Sequence, residues 1–481
     1  MSSTQAGRRR FLAAVAAGTG AFMSGCRGTS AVHAQAPTRT TSLATLAARR
    51  ETLIRSAYLL TMDDTIRDVA GGDVHIRDGV IAAVGRGLRA PGADEIDGRG
   101  MIVMPGFVDT HWHMWNGVFR GMTQTPAEYF ALQRLAPYFT PADHYSSIAF
   151  AAAEAITAGF TTVHDWSHGL QSAAAAESEM QALVDSGIRA RFGCGNLQQT
   201  AAGGKDLPRF IAWAQAGGDS RLSIGVVTQN ADTFREEVAA ARAAGARTIG
   251  THVNPQQNAD VIGPDFILTH GGNYGSYGPP DTPAALGFTP AFINVMKERR
   301  AKMALCPSSD LLMGMGFIPT TELLDAGFPA DDIGFSVDVT CQTNANPFEL
   351  MRIVLGTARN KARDARRLSP RQVLRIGTIG GAHVLGLEQE TGSLTPGKRA
   401  DLIMLRTSDI NMIPAGRINP TYLVVLGAQP ANVDTVIVDG RVLKRGGRLL
   451  HIDAAAVARD AAAVQARIRA AVGLPDVDVD A

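Results

Sequence analysis

Between residues 105 and 390 the chain alternates short apolar runs with longer stretches of helical periodicity, eight times over. The runs are "PGFVDTHWH", "FTTVHDW", "IRARFGCGN", "LSIGVVTQN", "RTIGTHVN", "FILTHGGN", "KMALCPSS" and "IGFSVDVT". Each has the length of a buried strand rather than of a core helix. Stretches such as "HYSSIAFAAAEAITAG" and "ADTFREEVAAARAAG" fall between them and end in glycine, as helices commonly do. Eight strand–helix repeats predict an α/β fold, a (β/α)8 TIM barrel. The polar residues of the runs gather at their C-terminal ends, where the active sites of such barrels lie.

The flanking segments have another character. Residues 51–104 are β-rich, and in "VHIRDGVIAAVG" the pair Asp78-Gly79 signals a tight hairpin. Residues 391–450 return to β structure, with a second hairpin at Asp439-Gly440 in "DTVIVDGRVLKRGG". A small β-sandwich domain built from segments on both sides of the barrel accounts for this arrangement. Residues 451–481 then form a C-terminal helix and tail, capped by Asp453 and ended by Gly473, with Pro475 following. At 481 residues the chain accommodates a barrel of roughly 250 residues with that addition.

Residues 1–34 read as a signal rather than as fold. "RRRFLAAVAAGTGAFMSGC" places adjacent arginines before Phe11, Leu12 and a short apolar stretch, the pattern of a twin-arginine export signal. The expected location is the periplasm. "AVHA" offers cleavage after Ala34, and "MSGC" offers a lipid anchor at Cys26. Cys194, Cys306 and Cys341 remain, an odd number without framework spacing, and read as buried core thiols. Lys plus Arg (46) nearly balances Asp plus Glu (45), which argues against nucleic acid or an anionic membrane surface as the main partner. No apolar run reaches the roughly 20 residues of a transmembrane helix.

The chemistry starts at "DTHWHMW", residues 109–115. Strand alternation puts His111 and His113 on one face and Trp112 on the other, into the packing outside the barrel. With that face inward at the barrel top, both imidazoles reach one point. Strand five ends in His252, strand six in His270, and strand eight carries Asp338. Neutral nitrogen donors plus one carboxylate suit Zn2+, and also Fe2+, with a position left for water.

"MPGFVDTHWH", "GFTTVHDW" and "TGSLTPGKRADLIML" together resemble the amidohydrolase superfamily, within it the branch of cytosine deaminases and triazine hydrolases. The resemblance covers about residues 51–450. It implies that His111, His113, His252 and Asp338 hold one divalent metal ion and that His270 lies beside the water or the substrate carbonyl. Members with two ions carry a carbamylated lysine on strand four, and "LSIGVVTQN" has none. The expected activity is hydrolysis of a non-peptide C–N bond, an amide or a cyclic amide or amidine, in a small molecule. Asp338 would move the proton and His270 stabilise the oxyanion, with water activated to a pKa of ~7.

One departure from the resemblance bears on the reaction. Family deaminases keep a glutamate three residues after the strand-five histidine, and Pro255 stands there. Deamination of a heterocyclic amine is therefore the second reading, and an inactive exported metal-binding protein the third. Asn254 shares the face of His252 and is a candidate for substrate binding. Trp115, Arg120 and His168 either line the pocket or serve as core packing, an ion pair and a hydrogen-bonded rim. Relatives in the branch often form homo-oligomers, and the resemblance extends that expectation to this chain.

Overall fold

The computed structural model describes residues 43–123, 125–195, 203–216, 220–252, 258–270, 290–315, 317–413 and 419–473. The twin-arginine segment with Cys26 and Ala34 lies outside these residues, as do Asn254 and Pro255.

Five strands precede the barrel: β1 (Thr52–Leu59), β2 (Val69–Arg77), β3 (Val80–Gly85), β4 (Asp94–Asp97) and β5 (Met101–Pro105). Eight parallel strands make the barrel, each falling within one of the eight apolar runs except β7, which runs one residue past its own. They are β6 (Phe107–Val108), β7 (Phe160–Ser167), β8 (Arg189–Cys194), β9 (Leu222–Thr228), β10 (Ile249–Thr251), β11 (Phe266–Thr269), β12 (Lys302–Leu305) and β13 (Ile333–Phe335). Hydrogen bonds just beyond β6 and β13 close the ring. Asp338 N–H donates to His111 O at 2.9 Å, and His113 N–H to Asp338 O at 2.7 Å. Buried Asp109 fastens the same seam with both carboxylate oxygens, accepting from His111 N at 3.0 Å and from Val337 N at 2.6 Å.

The helices start and stop where the local chemistry asks. Thr140 and Asp143 form a capping box at the start of Pro141–Ala158, and Gly159 ends that helix at φ +99°. Gly245, at φ +79°, ends Phe234–Ala244. The barrel floor is apolar: Val108, Ile267 and Ala304 from the strands meet Ala382, Val384, Leu385 and Leu387 from the segment below.

After the barrel come β14 (Leu402–Arg406), β15 (Val433–Val438), β16 (Arg441–Arg445) and β17 (Arg448–Leu449). They join the first five strands in one mixed sheet of order β17-β16-β15-β14-β5-β1-β2-β3, with β4 on β1. The β5–β14 pair, Pro105 against Leu402 through Met101 against Arg406, is where the two ends of the chain meet. Ile54, Leu59, Val74, Ile76, Val103, Leu402, Met404 and Ile437 build a core for this sheet separate from that of the barrel. Both Asp-Gly pairs are two-residue hairpin turns with positive φ at each position: +54° and +80° for Asp78-Gly79, +52° and +73° for Asp439-Gly440. The last helix, Ala454–Ala471, starts at the side chain of Asp453. It lies along Pro141–Ala158, tied by Arg467 to Asp143 and by Gln465 to the Val118 carbonyl. No helix of the described residues is long and apolar enough to cross a membrane.

Candidate active site

The strand ends bring five of the expected side chains to one place. His111 Nε2 stands 3.1 Å from Asp338 Oδ1, and His113 Nε2 stands 3.5 Å from the same oxygen. His252 Nε2 lies 3.4 Å from His111 Nε2. One ligand atom each from His111, His113 and His252 falls within 4.8 Å of the others. His270 completes the group, with Nε2 3.9 Å from Asp338 Oδ2. Asp338 and His270 are held at φ +62° and +65°, sparsely populated for residues other than glycine. Such backbone strain is found where a site needs a side chain turned off the strand direction.

The fit to a divalent cation rests on the donors themselves. Burial, reinforced by the charge each ring would impose on the others, pushes the pKa values of His111 and His252 well below the usual imidazole range. His113 is lowered by burial and then by His168 and His111. These rings are therefore neutral and offer lone pairs. The Nδ1–H of His113 donates to Trp166 O at 3.3 Å, which leaves Nε2 as its donor atom toward the centre. Two imidazole nitrogens facing each other at 3.4 Å beside a buried carboxylate form a pocket of electron pairs that a cation satisfies.

His270 is in a different electrostatic position. Burial opposes its charge, but Cys306, Asp338 and Asp310 together raise its pKa well above the usual range. Its Nδ1–H donates to Asp310 Oδ1 at 2.8 Å, so Nε2 is turned toward Asp338. Burial raises the Asp338 carboxyl, with the His270 charge acting against that rise. A cation bound at this carboxylate would reverse the effect.

A cavity of about 210 Å³ opens onto the group. His113, His252, His270 and Asp338 form one part of its lining, and Tyr129, Phe130, Gln133, Gln229 and Met313 form the rest. Asp338 is the one carboxylate among these described lining residues.

Trp115, Arg120 and His168, each read as pocket lining or as structural, are not among the lining residues of this cavity. Trp115 is fully buried with its ring 5.5 Å from those of Phe139 and His168, so it is core packing. Arg120 leaves the barrel top at the end of the turn Met114–Phe119, pairs with Glu154 and lies over the Phe150 ring, an ion pair at the surface. His168 packs behind His113 at a ring separation of 4.4 Å, and burial lowers its pKa to about 4. Asn254 lies outside the described residues. Trp112 is fully buried beside Phe160, on the side away from the histidine cluster.

Several further residues at the site are not among those expected from the sequence. Trp166 stacks on His252 at 4.4 Å and meets His111 edge-on at 4.3 Å, walling the cluster. Alternation along "VHDWSH" would have turned it inward with His164 and His168. Gln229 follows β9 directly and was accessible to the strand-end rule. Tyr129, Phe130 and Gln133 come from the segment after the first strand, which carries no such signal. Cys306 is buried as expected, yet it adjoins the site.

Residues 102–443 match the model of the Amidohydrolase family. The chain belongs to the amidohydrolase family.

Similar proteins span nearly the whole length of this amidohydrolase. A 5'-deoxyadenosine deaminase of Methanosarcina acetivorans is 27% identical over 436 residues, covering 85% of this chain and 96% of that protein. A 5-methylthioadenosine/S-adenosylhomocysteine deaminase of Desulforudis audaxviator is 29% identical over 439 residues, covering 85% and 97%. Among solved structures, an adenosine deaminase from Xanthomonas campestris with bound zinc superposes with a TM-score of 0.77 at 21% identity, over 88% of this chain and 99% of that one. A mutant atrazine chlorohydrolase from Arthrobacter aurescens, complexed with zinc and atraton, gives 0.72 at 22% identity, over 87% and 100%. The barrel with its added sheet is thus the fold of these neighbours. The amidohydrolase is a hydrolase of carbon–nitrogen bonds other than peptide bonds, acting on small molecules.

Proposed function

We propose that this amidohydrolase holds one divalent ion, zinc before iron, on His111, His113, His252 and Asp338, and hydrolyses an amide-type bond, open or cyclic, or an amidine, in a small polar molecule. The convergence of three neutral imidazoles and one carboxylate at the edge of a cavity carries this reading. When bound, the ion supplies the positive charge that lets water lose a proton near neutral pH. Asp338 takes that proton and returns it to the leaving nitrogen. His270 directs Nε2–H at the substrate oxygen as negative charge develops there, its ring fixed by Asp310. Tyr129, Phe130 and Met313 cover the apolar faces of the substrate, and the Gln133 and Gln229 amides meet its polar edge.

The names of the relatives favour a second reading, release of ammonia from a heterocyclic amine. Pro255 supports the first, because proline cannot shuttle a proton to a ring nitrogen. The test has two parts. Metal analysis of purified protein is expected to give one ion per chain, and His113→Ala should lose it; two ions would end the mononuclear reading. A panel of N-acyl compounds, lactams and heterocyclic amines is then followed for carboxylate and ammonia separately. Carboxylate release is expected, whereas ammonia from a ring amine alone would move the assignment to deamination.

The location is also a proposal, supported by the Arg8-Arg9-Arg10-Phe11-Leu12 segment. Replacing Arg8 and Arg9 by lysine should hold the protein in the cytoplasm. The mass of the exported form distinguishes cleavage after Ala34 from lipid attachment at Cys26, and its native mass reports self-association.

A further inference from the structure

Cys306 follows β12 directly, and its thiol takes part in a second grouping of potential ligands. One ligand atom each from His111, His270, Cys306 and Asp338 lies within 4.8 Å of the others, and all four residues are buried. The donors are two nitrogens, a sulfur and an oxygen, a set that favours thiophilic ions over hard ones. The surroundings are arranged for it. Asp310 accepts from His270 Nδ1–H at 2.8 Å, the outer-shell carboxylate that orients an imidazole and makes its Nε2 a better ligand. Ser336 Oγ lies 3.1 Å from Cys306 Sγ, where its hydroxyl can support a thiolate.

His111 and Asp338 belong to both groupings, and a single imidazole nitrogen binds one ion. We propose that the barrel top offers two alternative seats for one ion. The upper seat, on His111, His113, His252 and Asp338, suits the ion of the hydrolytic reaction. The lower seat, on His111, His270, Cys306 and Asp338, captures soft divalent cations such as Cd2+. Binding there forms a sulfur–metal bond. The thiol proton, with that of His270 Nε2, leaves to solvent, and no oxidation or reduction occurs. An ion in the lower seat takes His270 as a ligand, so under the proposed reaction a soft cation inhibits by removing the group that faces the substrate oxygen. The existence of the seat does not depend on that reaction.

The test reads coordination rather than turnover. Metal-free full-length protein is titrated with Cd2+ while the thiolate-to-cadmium charge-transfer absorbance is followed. One equivalent is expected to saturate the band. Cys306→Ser should abolish the band and weaken Cd2+ binding by about 100-fold or more, while Zn2+ content stays at one per chain. Cys26→Ser, Cys194→Ser and Cys341→Ser should keep the band. Cadmium NMR of the wild type gives the same answer without a variant, a shift that reports sulfur in the ligand shell. A band that survives Cys306→Ser, or a shift typical of nitrogen and oxygen ligands alone, overturns the proposal. Loss of zinc together with cadmium in Cys306→Ser overturns the two-seat arrangement, as does simultaneous binding of two cadmium ions.

Discussion

Asp338 holds two positions at once: its carboxylate touches three histidines, and its backbone closes the barrel seam. Asp338→Asn keeps the shape and the seam but removes the proton acceptor. The proposed reaction predicts a fall in kcat of about 10²–10⁴-fold with folding intact by circular dichroism. Asp310 acts through His270 and is a positioning residue. Asp310→Asn should retain the metal, lower kcat by about 10–100-fold with little change in KM, and move the pH profile of kcat. An unchanged profile would leave Asp310 with a packing role only. At this scale the sequence was legible wherever strand periodicity reached. Alternation paired His111 with His113, while His252, His270 and Asp338 were found as polar residues at or beyond strand ends, and the resemblance supplied their grouping as one ligand set. Asp310 was not found, because it sits in the short helix Pro307–Leu312, where that period ends. For Arg120 the sequence left two readings open, and the structure shows the ion pair, with Glu154, just past the helical turn Met114–Phe119.

Among the elements, the two Asp-Gly hairpins do more than reverse the chain. They abut: a side chain built on Gly79 would meet the Asp439 carbonyl at 2.8 Å, and one on Gly440 would meet the Gly79 Cα at 2.6 Å. Both glycines also have positive φ. Gly79→Ala and Gly440→Ala should each cost about 1–3 kcal/mol, measured by denaturant unfolding. Strands and turns were readable as local patterns, but their mutual contact joins residues far apart in sequence and left no trace there. Lys444 on β16 gives a pH-dependent counterpart. Its ammonium donates to the Thr157 carbonyl at 2.6 Å, and burial, helped by the charge of Arg406, lowers its pKa from the ordinary 10.5 to about 8. Between those values the folded chain binds fewer protons than the unfolded chain, so this residue makes stability rise with pH. Lys444→Met should flatten that part of the curve, seen as a loss of the Tm difference between pH 8 and pH 10.

Across the whole molecule, the barrel and the sheet are joined by a buried charge pair. Arg189 on β8 donates from Nε to Asp401 Oδ2 at 2.6 Å, and Asp401 Oδ1 accepts from Asp439 N at 2.7 Å. Both side chains are almost completely buried. Removing one partner strands a charge, so Arg189→Met or Asp401→Leu should destabilise by about 3–5 kcal/mol, and the double substitution should recover part of the loss. A double variant no more stable than either single one would count against the pair as the joint. The β-rich flanks announced a shared small domain in the sequence, but the partner of Arg189 was not readable, since nothing local links residue 189 to residue 401.

The junction of β5 with β14 sets an order of events during synthesis. When Pro105 leaves the ribosome, β5 can pair with β1, yet its other edge has no partner until Leu402 emerges. For the whole time the barrel is being made, that edge of "MIVMP" is an open row of backbone donors and acceptors, a template for pairing with another chain. Nascent chains of this amidohydrolase are therefore most vulnerable to aggregation while the barrel is already folding, and translation slowed between those two strands should lower the soluble yield more than the same delay placed after Leu449.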